Sequence, residues 1–213
     1  MYVGRIVAIG RTRQGRLAGM YRVSSRSFPN RQPKVMGEAV AVVPREGFEG
    51  DIHKSPYIAY NCLRITGSFA VVTNGTQTDP ITEKLAAGHG MRDALGAVLP
   101  VLDFEHDDFD TPRIAGVIDR ASGRAALGIV RRDALLVQEF ELATGEALYV
   151  ATYERNAVGR EQRDGDFDVE TAEQGCDYVL GRGVFADFEL PVLAVCALET
   201  AGGFALATAQ KEG

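Results

Sequence analysis

Short β-rich runs broken by glycine turns recur along this chain, and that rhythm constrains its fold more than any other feature. Tyr2–Ile9 and Leu17–Val23 are separated by Arg13-Gln14-Gly15-Arg16, a turn of hairpin type. Ala39–Val43 ends at Pro44, and Tyr57–Thr66 and Phe69–Thr73 flank the two-residue loop Gly67-Ser68. Arg113–Ile118, Ala125–Arg131, Leu135–Phe140 and Ala147–Tyr153 follow with Gly or Asp at the turns, and Val192–Leu198 and Phe204–Ala209 close around Gly202-Gly203. Two blocks carry helical spacing instead. Asp79-Pro80 predicts an N-cap with proline at the first helical position, and Ile81, Leu85, Leu95, Val98 and Leu99 form a stripe divided at Gly88-His89-Gly90. Glu170–Leu180 predicts a further helix with Gly181 beyond its end. Many antiparallel strands with two helical blocks indicate an α+β protein, two sheets with helices outside. A chain of 213 residues can bury such a core without disulfide staples, and we expect one domain over residues 1–213.

Charge is segregated. No Asp or Glu precedes Glu38, while seven arginines and Lys34 do, so the acidic surplus behind the net charge of -6 lies wholly in the rest of the chain. Such asymmetry points the N-terminal segment at something anionic. Nucleic acid is the weaker candidate, because a phosphate backbone rewards a broad basic face and the sequence pI is about 5.2. A small phosphorylated ligand needs only a few donors. Apolar runs are interrupted well before the length that spans a bilayer, and Met1–Arg5 lacks the pattern of a signal peptide, so we expect a cytoplasmic protein with no membrane partner. Cys62, Cys176 and Cys196 are odd in number and widely spaced, which suggests neither zinc nor a disulfide framework but reduced, buried thiols. Whether the chain forms a homo-oligomer is left open.

Several motifs fail on context. Gly181-Arg182-Gly183-Val184-Phe185-Ala186 spells a dinucleotide fingerprint, yet it follows a helix rather than a strand and reads better as a helix stop. Asp103–Asp108 resembles a metal box, but a calcium loop starting at Asp103 puts Asp108 where glycine belongs and Ile114 where the bidentate glutamate belongs. Another hard cation, or simply a solvated acidic helix end, remains open there. His53, His89 and His106 lack ligand spacing, so no metal ligand and no cofactor is assigned. Tyr2 cannot serve as an N-terminal nucleophile, and no G-x-S-x-G occurs.

The stretch Arg22–Arg31, RVSSRSFPNR, is different: three arginines and three serines, with no carboxylate to pair them. Phe28 before Pro29 is biased to extended backbone and Asn30 suits a turn, so Ser24–Arg31 is a loop leaving a strand. Hydroxyls, free backbone N–H groups and arginine forks fit a phosphate; a solvated basic loop is the alternative.

Taken in order, MYVGRIVAIGR, RVSSRSFPNR, PYIAYNC, VVTNG, DFEHDDFDTPRIA and ATYE resemble the archaeal-type IMP cyclohydrolase family, densely from Met1 to about Ala115 and more thinly beyond Ala157. The resemblance implies a four-layer αββα sandwich related to the N-terminal-nucleophile hydrolases. It implies ring closure of 5-formamidoimidazole-4-carboxamide ribonucleotide (FAICAR) to IMP, without the hydrolases' nucleophile. By motif, its catalytic pair falls on Arg31, polarising the formyl oxygen, and Glu105, as general base. Around them Arg22, Ser24 and Arg26 are expected to hold phosphate, with Asn30 in the same loop, and Tyr60, Asn61, Asn74 and Gly75 to surround base or ribose. Two rivals remain: a metal-dependent phosphohydrolase using Asp103–Asp110, and a non-catalytic purine nucleotide-binding protein. An amide hydrolase of the same layered fold is disfavoured by Tyr2.

Overall fold

The computed structural model describes residues 1–211. In chain order these form β1 (Ile6–Arg11), β2 (Leu17–Ser24), β3 (Arg31–Met36), β4 (Ala39–Pro44), β5 (Tyr60–Thr66), β6 (Phe69–Thr73), α1 (Thr78–Ala86) and α2 (Met91–Leu102). Then come β7 (Arg113–Asp119), β8 (Arg124–Arg131), β9 (Ala134–Phe140), β10 (Glu146–Ala151), β11 (Arg163–Asp164), α3 (Ala172–Gly181), β12 (Pro191–Glu199) and β13 (Phe204–Gln210). One sheet has the order β11-β10-β1-β2-β12-β13 and the other β3-β4-β5-β6-β7-β8-β9, every pairing antiparallel.

Strand alternation divides the apolar side chains into three layers of core. Val7, Ile9, Tyr21 and Val23 of the first sheet meet Val42, Tyr60, Val72 and Ile114 of the second. The opposite-facing Ile6, Ala8, Met20 and Cys196 pack under Val179 and Leu180 of α3. On the far side Val71, Ala115 and Val117 receive Ile81, Leu85, Leu95 and Leu99 of α1 and α2. Each fully buried Val, Leu or Ile contributes about 1.5–3 kcal/mol by leaving water, so both sheet faces are anchored. The result is the expected αββα sandwich.

Two local expectations shift. The β3 strand was not expected, because RQPKVM holds a proline and no clean alternation; as an edge strand paired only to β4 it can accommodate Pro33 opposite Val42. Helix α1 begins at Thr78 with Gln77 as its cap position, so Asp79 is a first-turn residue rather than the cap. There Asp79 suits the positive end of the helix dipole and accepts from Asn61 and Arg64. Cys62, Cys176 and Cys196 are buried free thiols. Among the described residues no helix is long and apolar enough to cross a membrane.

Candidate active site

A cavity of about 620 Å³ opens at one end of the sandwich. Its walls come from Tyr2–Arg5 before β1, the basic loop after β2, Arg31 at the start of β3, residues 54–58 before β5, the acidic segment after α2 and the chain beyond β10. Gly4 sets the position of the first wall. Its φ is +73°, and a Cβ there would run into Thr152 Oγ1, so only glycine lets the chain pass beneath that hydroxyl. The next residue is then clamped: Arg5 N donates to Thr152 Oγ1 at 3.1 Å, and Thr152 N donates to Arg5 O at 3.0 Å.

From this clamp the Arg5 side chain reaches Glu105. Nη1 donates to Oε1 at 2.9 Å and to Oε2 at 2.8 Å; the Glu105 side chain is 0% exposed and that of Arg5 is 15% exposed. Arg5 lines the cavity and Glu105 lies behind it. Burial pushes the Glu105 carboxyl above its ordinary range although Arg5 and Arg113 pull it down. Burial also works against the Arg5 charge, but Glu105 together with Tyr60 and Tyr21 more than compensates and the guanidinium stays protonated.

The segment carrying Glu105 is a braced turn. Glu105 N donates to Thr111 O at 2.8 Å, Asp103 Oδ1 accepts from Phe104 N, and Asp107 accepts from Phe109 N, Thr111 N and Thr111 Oγ1. Asp110 pairs with Arg132 at 3.1 Å. These carboxylates are engaged in shaping the loop, which is a poor arrangement for a cation box, and no group of three His, Cys, Asp or Glu among the described residues is arranged to hold a metal.

Arg31 enters from the other sheet. It is 3% exposed; Nε donates to Phe28 O at 3.0 Å, and among the described residues its Nη atoms bond no protein group, leaving the fork to the cavity. Beneath the two arginines the hydroxyls of Tyr21 and Tyr60 meet at 2.7 Å. Burial raises both phenols, opposed in each by the nearby charges of Arg5 and Arg31.

The expected ligand residues divide. Arg31, Ser24 and Arg26 line the cavity; Glu105 lies behind Arg5, and Tyr60 bonds Tyr21 without lining the cavity. Arg22 does not reach it. That side chain is fully buried toward α3, its Nη atoms donating to the carbonyls of Val179, Leu180, Phe188 and Glu189. Two of those carbonyls close the C-terminal end of α3, where a cation is favoured. Arg22 Nε also donates to Ser24 Oγ at 2.9 Å, which leaves the serine's own O–H free. Asn61 points to the helix face of its sheet and donates to Asp79. Asn74 donates to Pro112 O and accepts from Gln77 and Ile114 N, tying β6 to β7. Asn30 contributes a carbonyl that accepts from Arg45 N. Gly75 abuts the site from behind: a Cβ there would stand 2.7 Å from Gln77 Oε1, 2.8 Å from Arg113 Nη1 and 3.4 Å from Glu105 Oε1.

Arg5 and Lys54, which line the cavity, and Tyr21, which bonds Tyr60, are residues that the sequence did not single out. An arginine before a strand and a tyrosine within one carry no local signal. Only the pairing of distant segments gives them a role.

The pattern of a family described as IMP cyclohydrolase-like protein matches residues 2–203. A protein named IMP cyclohydrolase from Methanocella arvoryzae is 46% identical over 207 residues, 97% of this chain and 96% of its own. Proteins of the same name from Methanosphaera stadtmanae and Methanocaldococcus jannaschii are 42% and 41% identical, covering 92% and 99% of this chain and 94% and 100% of theirs.

Proposed function

This chain belongs to the IMP cyclohydrolase-like family, and we propose that it closes the pyrimidine ring of FAICAR to give IMP, as a cytoplasmic enzyme of purine synthesis. One observation carries this reading beyond membership. A single cavity holds two donor-only arginines, Arg31 with its Nη atoms free and Arg5 with one Nη spent, in front of a buried carboxylate whose affinity for a proton is raised.

The reaction is intramolecular, so positioning matters most: two substituents of one imidazole must be held in attack geometry. The carboxamide nitrogen bonds to the formyl carbon, and one N–H proton passes by way of Glu105 to the former formyl oxygen, giving the carbinolamine. Loss of that hydroxyl with a second N–H proton releases one water and leaves the ring C=N bond. Glu105 is the acceptor because burial strengthens its basicity. Arg31 meets the charge that develops on the formyl oxygen, since a guanidinium can donate and never accept. Glu105 lies behind Arg5, so Nη1 must shift before a proton reaches it.

Ser24, Ser25, Arg26, Ser27 and Lys54 line the cavity and anchor the phosphate in this reading. Arg22 acts only through Ser24, whose hydroxyl it orients. The acidic loop's engaged carboxylates tell against the metal-dependent phosphohydrolase. The test is direct: purified protein is mixed with FAICAR and the ultraviolet shift of forming hypoxanthine is followed with and without EDTA. Ring closure unaffected by chelator is the expected result. IMP binding without ring closure would favour a nucleotide-binding protein, and chelator-sensitive phosphate release the phosphohydrolase.

A further inference from the structure

The substrate of the proposed reaction carries two carbonyl groups on substituents of adjacent ring carbons, and the cavity holds two arginines with unspent donors, Arg31 buried and Arg5 partly so. Arg31, hung from Phe28 O in the basic loop, serves one. Arg5 spends Nη1 on Glu105, while its Nε and Nη2 bond no protein group among the described residues and its exposed part faces the cavity. We propose that Arg5 reads the oxygen of the carboxamide, which becomes the oxygen at purine position 6, and so sets specificity for 6-oxo over 6-amino nucleotides. This rests on the ring-closure reading.

The chemistry follows from the pair. A primary carboxamide presents N–H and C=O on one carbon, a donor beside an acceptor. Once Nη1 has shifted, Glu105 and Arg5, bonded to each other, present an acceptor beside a donor. If Glu105 takes the amide proton, the group next to it stands at the amide oxygen. A guanidinium there also favours the transition state, because charge left by the departing proton is delocalised onto that oxygen. With Glu105 at its back, Arg5 stays protonated and only donates. An amino group at position 6 would set donor against donor, and a site built for one hydrogen-bond pattern rejects its mismatch strongly.

Equilibrium binding of IMP and AMP tests this without any need for turnover. The wild-type protein should prefer IMP by about a hundredfold or more. Arg5→Gln offers both a donor and an acceptor, and the preference should fall to within about fivefold. Because that variant strands a buried carboxylate, Arg5→Gln/Glu105→Gln is measured beside it; lacking both charges, it should show the same collapse. An IMP preference unchanged in the variants, or none in the wild type, would overturn the proposal. Failure of ring closure is a separate result: a wild type that binds IMP selectively but does not turn over FAICAR sinks the activity and not the reading of the oxygen.

Discussion

The hydroxyls of Tyr21 and Tyr60 lie 2.7 Å apart, one from each sheet, inside an interlayer otherwise filled by apolar side chains, most of them Val, Ile and Leu. Each satisfies the other, so removing one leaves a buried polar atom without its partner. Tyr21→Phe is expected to cost about 1–3 kcal/mol in urea unfolding, and Tyr21→Phe/Tyr60→Phe less than the sum of the two single changes. Additive losses would mean that the pair is not coupled.

The catalytic assignment separates the two charged groups by what their loss does. Arg31→Ala should lower kcat by about a hundred- to a thousandfold, as loss of an oxyanion donor does, and Arg31→Lys should fall between because charge survives without the fork. Glu105→Gln should abolish turnover while IMP affinity, read by calorimetry, is largely kept. Wild-type turnover in that variant would remove Glu105 as the base.

The pH dependence has a definite sign. Burial first, opposed by Arg5 and Arg113, leaves the Glu105 carboxyl above its ordinary range, and in the proposed reaction its ionised form is the active one. Activity is therefore present above that raised pKa and lost as pH falls through it. The acid limb of kcat/KM should lie higher than the pKa of about 4.3 of an unperturbed glutamate.

Arg22 and Arg26 belong to the same basic stretch and should behave oppositely. Arg22→Leu strands four carbonyls and the Ser24 hydroxyl, and should cost at least about 3 kcal/mol in thermal or urea unfolding. Arg26, stacked 3.8 Å over the Tyr2 ring at the cavity wall, is in the proposed reading a ground-state phosphate contact. Arg26→Ala should raise KM about tenfold with kcat within about twofold.

Gly75 offers a subtler probe. The atoms that a Cβ would crowd most, Gln77 Oε1 and Arg113 Nη1, end flexible side chains, so Gly75→Ala should cost no more than about 1 kcal/mol. Displacing Arg113 weakens one of the two cations that hold the Glu105 pKa down. The acid limb should then move to higher pH, measured as the shift in the kcat/KM profile.

Alternation and turn chemistry made most of the sandwich legible, because a two-residue period over a half-buried sheet and a glycine at a hairpin are local facts. The β3 strand escaped since an edge tolerates Pro33 and demands little apolar pattern. The basic loop stood out by composition, whereas the pair of Arg31 and Glu105 was legible only through resemblance. Arg22 and Arg26 look alike in sequence, but Arg22 lies within β2 on the face under α3, whereas Arg26 lies in the loop beyond the strand's end at the cavity wall. Asn61 follows Tyr60, and strand parity sends the two to opposite faces of β5. Arg5 carried no signal because its meaning comes from Glu105, a hundred positions away.

The working groups are divided between the layers: Arg5 and Tyr21 ride on one sheet, Arg31 and Tyr60 on the other. No fragment holding a single sheet can retain a partial activity, and a slip of one sheet by a single residue, about 3.3 Å, would part the groups beyond bonding reach. Heat inactivation should thus coincide with loss of the interlayer itself, with no loosened yet working intermediate.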